Sequence, residues 1–234
     1  MEGIESISKE SRHFPPPKSF SSCAHIKSKA GYQKIYRRSI AKPQSFWAEQ
    51  AQNLHWFSKW KGVFSWDKHN SRFTWFKGGK LNVSYNCLDR HLESRGNKVA
   101  IIWQGETEEQ VRKFTYRELY HEVSRFASVL LRNGVRKGDR VCVYMPMIPE
   151  LAIAMLACTR IGAIHSIVFA GFSAESLRDR MTDSKCSMLI TADGGYHAGK
   201  DVHLKEIADE ALAKCPFVKK VIVAQRTGER IAMK

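Results

Sequence analysis

The chain has 234 residues, 43% of them apolar and 26% charged, and carries a formal net charge of +15. That length supports a sizeable core and one large domain, or one domain and part of a second, and the balance of apolar to charged residues excludes wholesale disorder. The longest apolar run, Leu151 to Cys158, is far shorter than the roughly 20 residues a membrane-spanning helix needs, so no segment is expected to cross a bilayer.

The opening MEGIESISKESRHFPPPK mixes acids, bases and three prolines where a secretory signal needs an apolar centre, so export is not expected. Cysteines 23, 87, 142, 158, 186 and 215 include no C-x-x-C pair. They read as reduced thiols of a cytoplasmic protein, with neither zinc nor a disulfide framework. The positive charge permits nucleic acid, an anionic membrane surface or small phosphorylated substrates as partners. Acids are interleaved with the basic residues and no run reaches the block size of a nucleic-acid tail, which disfavours nucleic acid.

In chain order, the first thirty residues, with Pro15-Pro16-Pro17, read as an irregular arm. Two amphipathic helices follow: Gly31 to Ile40, with Tyr32, Ile35 and Tyr36 on one side, and a second with Pro43 in its first turn and Phe46, Trp47 and Leu54 along it. From Trp56 to Trp75 the chain is aromatic and basic. Such residues could stack on single-stranded nucleic acid, but no repeat presents them as a regular platform, and a loop-rich cap packed by its own rings is the reading preferred. Residues 1–85 are therefore taken as an arm and irregular or helical cap, and residues 86–234 as a separate α/β region.

A helix is predicted over Cys87 to Glu93, then a strand Lys98 to Trp103 paired with Val111 to Phe114. Thr115-Tyr-Arg-Glu118 is a capping box opening a long helix, which Asn133-Gly134 stops. There follow a strand Arg140 to Tyr144, a helix Pro149 to Ile161 stopped by Gly162, and a strand Ile164 to Phe169. A helix capped by Ser173 runs to about Asp183, followed by a strand Met188 to Thr191, a glycine-rich loop, a helix Leu204 to Lys214 and a strand Val218 to Ala224. Alternation of this kind implies right-handed crossovers in a doubly wound, mostly parallel sheet. No helix follows the last strand to cover it, and from this the chain is expected to be the front part of a larger protein.

For chemistry, the sequence has no G-x-S-x-G elbow, no H-E-x-x-H and no G-x-x-x-x-G-K-[ST] loop. The segment Ile164 to Lys200 is the most informative, because it sets two strand-to-loop-to-helix crossovers side by side, and in parallel sheets ligands sit at the carboxyl ends of the strands. Phe169-Ala170-Gly171-Phe172-Ser173 is satisfied either by a tight turn and helix cap or by a ligand loop. His197, Lys200, His203 and Lys205 could meet a phosphate as point charges and donors, or form a solvated loop. Asp193 either caps the loop or orients a ligand hydroxyl, and capping is the preferred reading.

Two runs, WFKGGKLNVSYNCLDRH from Trp75 and IHSIVFAGFSAESLRDR from Ile164, resemble the AMP-forming acetyl-CoA synthetases of the acyl-adenylating superfamily, in particular their acetyl- and propionyl-CoA branch. The likeness reaches back to FPPP at Phe14 and to Phe46-Trp47. It implies an incomplete adenylating-enzyme core and a two-step ligase. A short carboxylate attacks the α-phosphate of magnesium-ATP to give an acyl-adenylate and pyrophosphate, and coenzyme A then displaces AMP.

By the same resemblance, the loop at Phe169, Ala170 and Gly171 lies along coenzyme A, and His197 and Lys200 stand where an R-x-G-R motif holds its nucleotide phosphates. Ala170 replaces a common glycine, and neither basic position is arginine, so bidentate phosphate contacts are lost. The phosphate loop, adenylate-binding segment, acetate-pocket tryptophan and catalytic lysine of the family have no counterpart up to Lys234. The chain alone is therefore expected to be inactive, with no catalytic residue and no metal ligand assigned to it. Alternatives are a propionyl-CoA synthetase of the same branch and a non-catalytic module binding coenzyme A or a nucleotide.

Overall fold

The structure, a computed structural model, describes residues 13–233. Among them the chain forms two compact units. One takes the residues up to Leu54 together with Trp60–Gly79, and the other His55–Lys59 and the chain from Lys80 onward.

In the first unit, part of the expected arm lies outside the described residues. The rest is not irregular throughout: α1 (Lys18–Cys23) is a short helix following the three prolines. Helix α2 (Lys29–Ala41) starts two residues earlier than the pattern suggests, because Ser28 caps it by accepting the Gly31 N–H at 3.1 Å. Helix α3 (Pro43–Ala51) opens on its proline and buries Phe46 and Ala51.

The expected loop-rich aromatic cap is instead a hairpin. Strands β1 (Gly62–Asp67) and β2 (Arg72–Lys77) pair antiparallel, with Phe64 opposite Trp75 and Trp66 opposite Phe73. The rings are cross-strand partners, which is what aromatic residues at every second position do on a pleated surface. Asp67 reverses the chain by accepting the N–H groups of His69 and Asn70.

The second unit opens on α4 (Val83–Cys87), capped by Asn82, whose Oδ1 accepts the Tyr85 N–H. A single 3-10 turn (Asp89–His91) and α5 (Leu92–Arg95) follow, so the continuous helix predicted from Cys87 is broken into short pieces. The break falls at Leu88, which leaves helical geometry at ψ −66° with φ −122° and is buried. Strands β3 (Val99–Gln104) and β4 (Val111–Thr115) form an antiparallel pair.

Helix α6 (Tyr116–Arg132) carries the complete capping box of Thr115 and Glu118, and buries Leu119, Val123, Ala127 and Leu130 along one face. Strand β5 (Arg140–Met145) leads to α7 (Pro149–Ile161), which ends on the left-handed Gly162. Strand β6 (Ile164–Phe169), α8 (Ala174–Ser184) and β7 (Met188–Ala192) come next. The expected glycine-rich loop then folds into a small hairpin, β8 (Gly195–His197) and β9 (Lys200–Val202). Helix α9 (Leu204–Leu212) and β10 (Lys220–Ala224) complete the described elements.

Four strands make one wholly parallel sheet in the order β10-β7-β5-β6. From β5 the chain moves outward to β6, then crosses back to β7 on the other side of β5. Helices α6 and α7 contribute to the apolar cluster over Val141, Val143 and Met145, while α8 and α9 contribute to the one over Cys142 and Tyr144. Alternate residues of β5 thus face two cores, which is why the strand reads as an uninterrupted apolar run. The doubly wound architecture is as the alternation of elements predicts. Each fully buried aliphatic side chain, such as Val123 or Leu177, contributes about 1.5–3 kcal/mol.

Candidate functional site

The order of strands reverses between β5 and β7, and in open α/β sheets such a reversal opens a crevice at the carboxyl ends of the strands. Here those ends carry Pro146–Ile148 after β5, the Phe169–Phe172 turn after β6, Asp193–Tyr196 after β7 and Arg226–Gly228 after β10.

The turn after β6 is built around Tyr144. This buried side chain of β5 directs its hydroxyl to the carbonyls of Ala170, at 3.1 Å, and Phe172, at 2.9 Å. The peptide is pinned from below, while Phe169 is 62% exposed and meets the exposed Phe172 ring edge-on at 6.0 Å. Gly171 leaves room for this arrangement: a Cβ there would stand 2.6 Å from the Phe169 ring. Ser173 accepts the Ser176 N–H and opens α8.

After β7 the chain is fixed by Asp193, a buried carboxylate. Its Oδ1 accepts the backbone N–H of Gly194 (2.7 Å), Arg226 (2.7 Å) and Thr227 (3.1 Å), and its Oδ2 that of Gly228 (2.8 Å). Burial pushes the carboxyl up, but these N–H groups outweigh it and hold the pKa below the ordinary aspartate value. Asp193 is thus a loop clamp, its two oxygens together accepting four backbone N–H groups.

Beyond it, Ala198 (φ 50°) and Gly199 (φ 73°) turn the β8–β9 hairpin. Two successive positive φ values are the signature of a two-residue primed turn, and Gly199 accepts that geometry without strain. The turn sets His197 directly opposite Lys200, both exposed. The other two basic residues of the expected cluster are engaged elsewhere. Lys205 is buried and donates to both Asp209 carboxylate oxygens at 2.7 Å and to the Ala232 carbonyl at 2.9 Å. His203 Nδ1 pairs with Glu229 at about 3.0 Å, which raises its pKa above the ordinary histidine value.

The structure therefore gathers His197 with Lys200, and Phe169 with Ala170 and Gly171, as two groups on separate loops. They stand at the ends of strands with β5 between them. Tyr144 and Arg226 escape a reading of the sequence; the only local sign was a hydroxyl-bearing ring inside an otherwise aliphatic strand. An exposed lysine beside an exposed imidazole, and an apolar turn, fit a ligand with phosphate groups and a less polar arm, with single-point contacts in place of a guanidinium fork. Among the described residues no group of three His, Cys, Asp or Glu side chains gathers that could hold a metal ion, and no helix is long and apolar enough to cross a membrane.

A parallel sheet wound on both faces, with its loops converging at a strand-order reversal, defines a doubly wound α/β protein of the kind that takes ligands at that crevice, and comparison with known proteins narrows this. The profile of the AMP-binding enzyme family matches residues 88–233, and that of the acetyl-coenzyme A synthetase N-terminus matches residues 32–87. The chain belongs to the AMP-binding enzyme family. It is 55% identical over 222 residues to the acetyl-coenzyme A synthetase of Syntrophus aciditrophicus, covering 93% of this chain and 34% of that protein. It is 51% identical over 224 residues to that of Halorhodospira halophila, covering 95% and 35%. The acetoacetyl-CoA synthetase structure from Streptomyces lividans superposes with a TM-score of 0.80 at 26% identity, over 92% of this chain and 33% of that one. The chain thus spans about a third of the length of the relatives it matches.

Proposed function

We propose that this chain is the N-terminal portion of an AMP-forming acetyl-CoA synthetase. Within the whole enzyme it would serve the conversion of acetate, ATP and coenzyme A to acetyl-CoA, AMP and pyrophosphate through an acetyl-adenylate. The observation that carries this reading is the succession of two matches, the synthetase N-terminus over residues 32–87 and the AMP-binding family over residues 88–233. That succession supports a division of labour near residue 86, with a cap before it and the first part of the adenylating domain after it. Acetate in place of propionate is supported by the relatives, whose names are those of acetyl-coenzyme A synthetases. A soluble, cytoplasmic enzyme acting on small anions accords with the six unpaired thiols.

In this reading the His197–Lys200 pair meets the nucleotide phosphates of coenzyme A, and the turn at Phe169, Ala170 and Gly171 lies along the same molecule. Lys200 contributes a point charge, and His197 contributes fully only when protonated. Magnesium would arrive with ATP, whose phosphates supply its ligands. The chain by itself supplies binding surface and no turnover. The test is to incubate the 234-residue chain with acetate, magnesium-ATP and coenzyme A, alone and joined in one polypeptide to the remainder of the Syntrophus aciditrophicus relative. Acetyl-CoA from the joined protein and none from the chain alone is expected. Turnover by the chain alone, or none from a folded joined protein, overturns the reading.

A further inference from the structure

A cavity of about 170 Å³ lies at the strand-order reversal, among Trp103 and Glu106 of the β3–β4 pair, Pro146 and Met147 after β5, Tyr196 of β8, and Arg226 after β10. That is roughly ten times the room one buried water needs, and enough for a molecule of a few heavy atoms. Its walls are fixed. Trp103 Nε1 donates to the Met147 carbonyl at 2.7 Å, closing one side, and the Arg226 backbone N–H is held by Asp193 at 2.7 Å.

The guanidinium of Arg226 lies over the Trp103 ring at 5.0 Å and over the Tyr196 ring at 4.9 Å. It makes one side-chain hydrogen bond, from Nη2 to Gln110 Oε1 at 2.8 Å. Among the described ion pairs it has none. A guanidinium carries five N–H donors in its own plane. A half-buried one that spends a single donor on a neutral amide, and has no ion pair among those described, keeps donors unspent beside a cavity of about 170 Å³. A planar carboxylate satisfies two parallel N–H groups at once, and desolvation by the two rings strengthens that contact.

We propose that this cavity binds a compact carboxylate of two to four carbons through Arg226, with Trp103 and Tyr196 as its apolar walls. The inference does not rest on the ligase reading: it concerns residues wholly within this chain, whereas the acetate pocket implied by the family resemblance lies outside it. Glu106 at the rim is the one opposing charge among these lining residues, and it weakens the site.

The test is calorimetric titration of the whole chain with sodium acetate, sodium phosphate and sodium chloride at equal ionic strength, without ATP or coenzyme A. Saturable binding of acetate and none of chloride is expected, with phosphate weaker than acetate. Arg226→Gln should weaken acetate at least about tenfold, the equivalent of roughly 1.4 kcal/mol. Glu106→Gln, at an exposed position, should strengthen acetate binding severalfold, and it keeps the test decisive should Arg226→Gln fail to fold. Acetate indistinguishable from chloride, phosphate preferred over acetate, unchanged affinity in folded Arg226→Gln, or no gain in Glu106→Gln would each overturn the proposal.

Discussion

The carboxylate of Asp193 receives the backbone N–H of Arg226, 33 residues away in the chain, at 2.7 Å. One buried anion thereby joins the end of β7 to the end of β10 and fixes where the Arg226 side chain begins.

Asp193→Asn replaces an acceptor-only carboxylate with a group that offers one acceptor oxygen and two donors to four N–H groups. A loss of roughly 1.5–3 kcal/mol in unfolding free energy is expected, the range for hydrogen bonds to a buried charge. Denaturant titration of both proteins measures it. Because the folded pKa of Asp193 is lowered, its stabilisation is present above the unfolded aspartate pKa and is lost as pH falls through the folded value. The mutant should lack that acid-side decline, and equal acid dependence of the two proteins would contradict the assignment.

His203 behaves in the opposite sense. Glu229 raises its pKa, so its contribution is complete below the unfolded histidine value and disappears as pH rises through the folded one. Proton NMR of the imidazole should show titration above the ordinary histidine range, moving back toward that range in Glu229→Gln.

Arg160 and Asp89 form a two-pronged pair at 3.2 and 2.6 Å, with the guanidinium carbon 4.9 Å from the centre of the Tyr120 ring. Both side chains are about one-fifth exposed, so breaking the pair leaves a poorly hydrated charge. Asp89→Asn should cost about 1–3 kcal/mol, above the 0–1 kcal/mol typical of surface pairs. Arg160→Lys should recover little, since an ammonium cannot make both contacts while lying over the ring. Chemical denaturation of the two variants decides this.

Tyr144→Phe removes the hydroxyl that holds the carbonyls of Ala170 and Phe172. The expected loss is about 0.5–1.5 kcal/mol, with amide exchange accelerated in the turn at residues 169–173 and unchanged in α6. Uniform acceleration across the unit would assign Tyr144 to packing alone.

Restoring guanidinium groups at the hairpin tests the coenzyme A reading. His197→Arg with Lys200→Arg should tighten adenosine 3′,5′-bisphosphate by about tenfold, roughly 1.4 kcal/mol, because two forks replace two single contacts. Calorimetry at two salt concentrations measures it, and an affinity unaffected by the substitutions would move the nucleotide elsewhere.

Much of the α/β unit was legible because its signals are local. The capping box at Thr115, the stop at Gly162 and the two-faced apolar run of β5 each act within a few residues. What escaped depends on contacts distant in sequence. The β1–β2 hairpin was hidden because its five aromatics looked like filler until paired, and its turn rests on the Asp67 side chain, not on an Asn-Gly pair. The helix predicted from Cys87 failed at Leu88, where burial overrode propensity. At the candidate site, the sequence placed His197 and Lys200 after β7 but could not show that a two-residue turn sets them face to face. It grouped Lys205 and His203 with them because charge spacing does not reveal that Asp209 and Glu229 claim those cations first.

The hairpin carrying His197 and Lys200 has its own hydrogen-bonded ladder, separate from the four-stranded sheet. Its tip is therefore mechanically insulated: residues there can be exchanged with little disturbance to the packed layers beneath. If the hairpin holds the anion proposed for it, the grip on that anion can drift while the fold stays constant, and specificity evolves more readily than architecture.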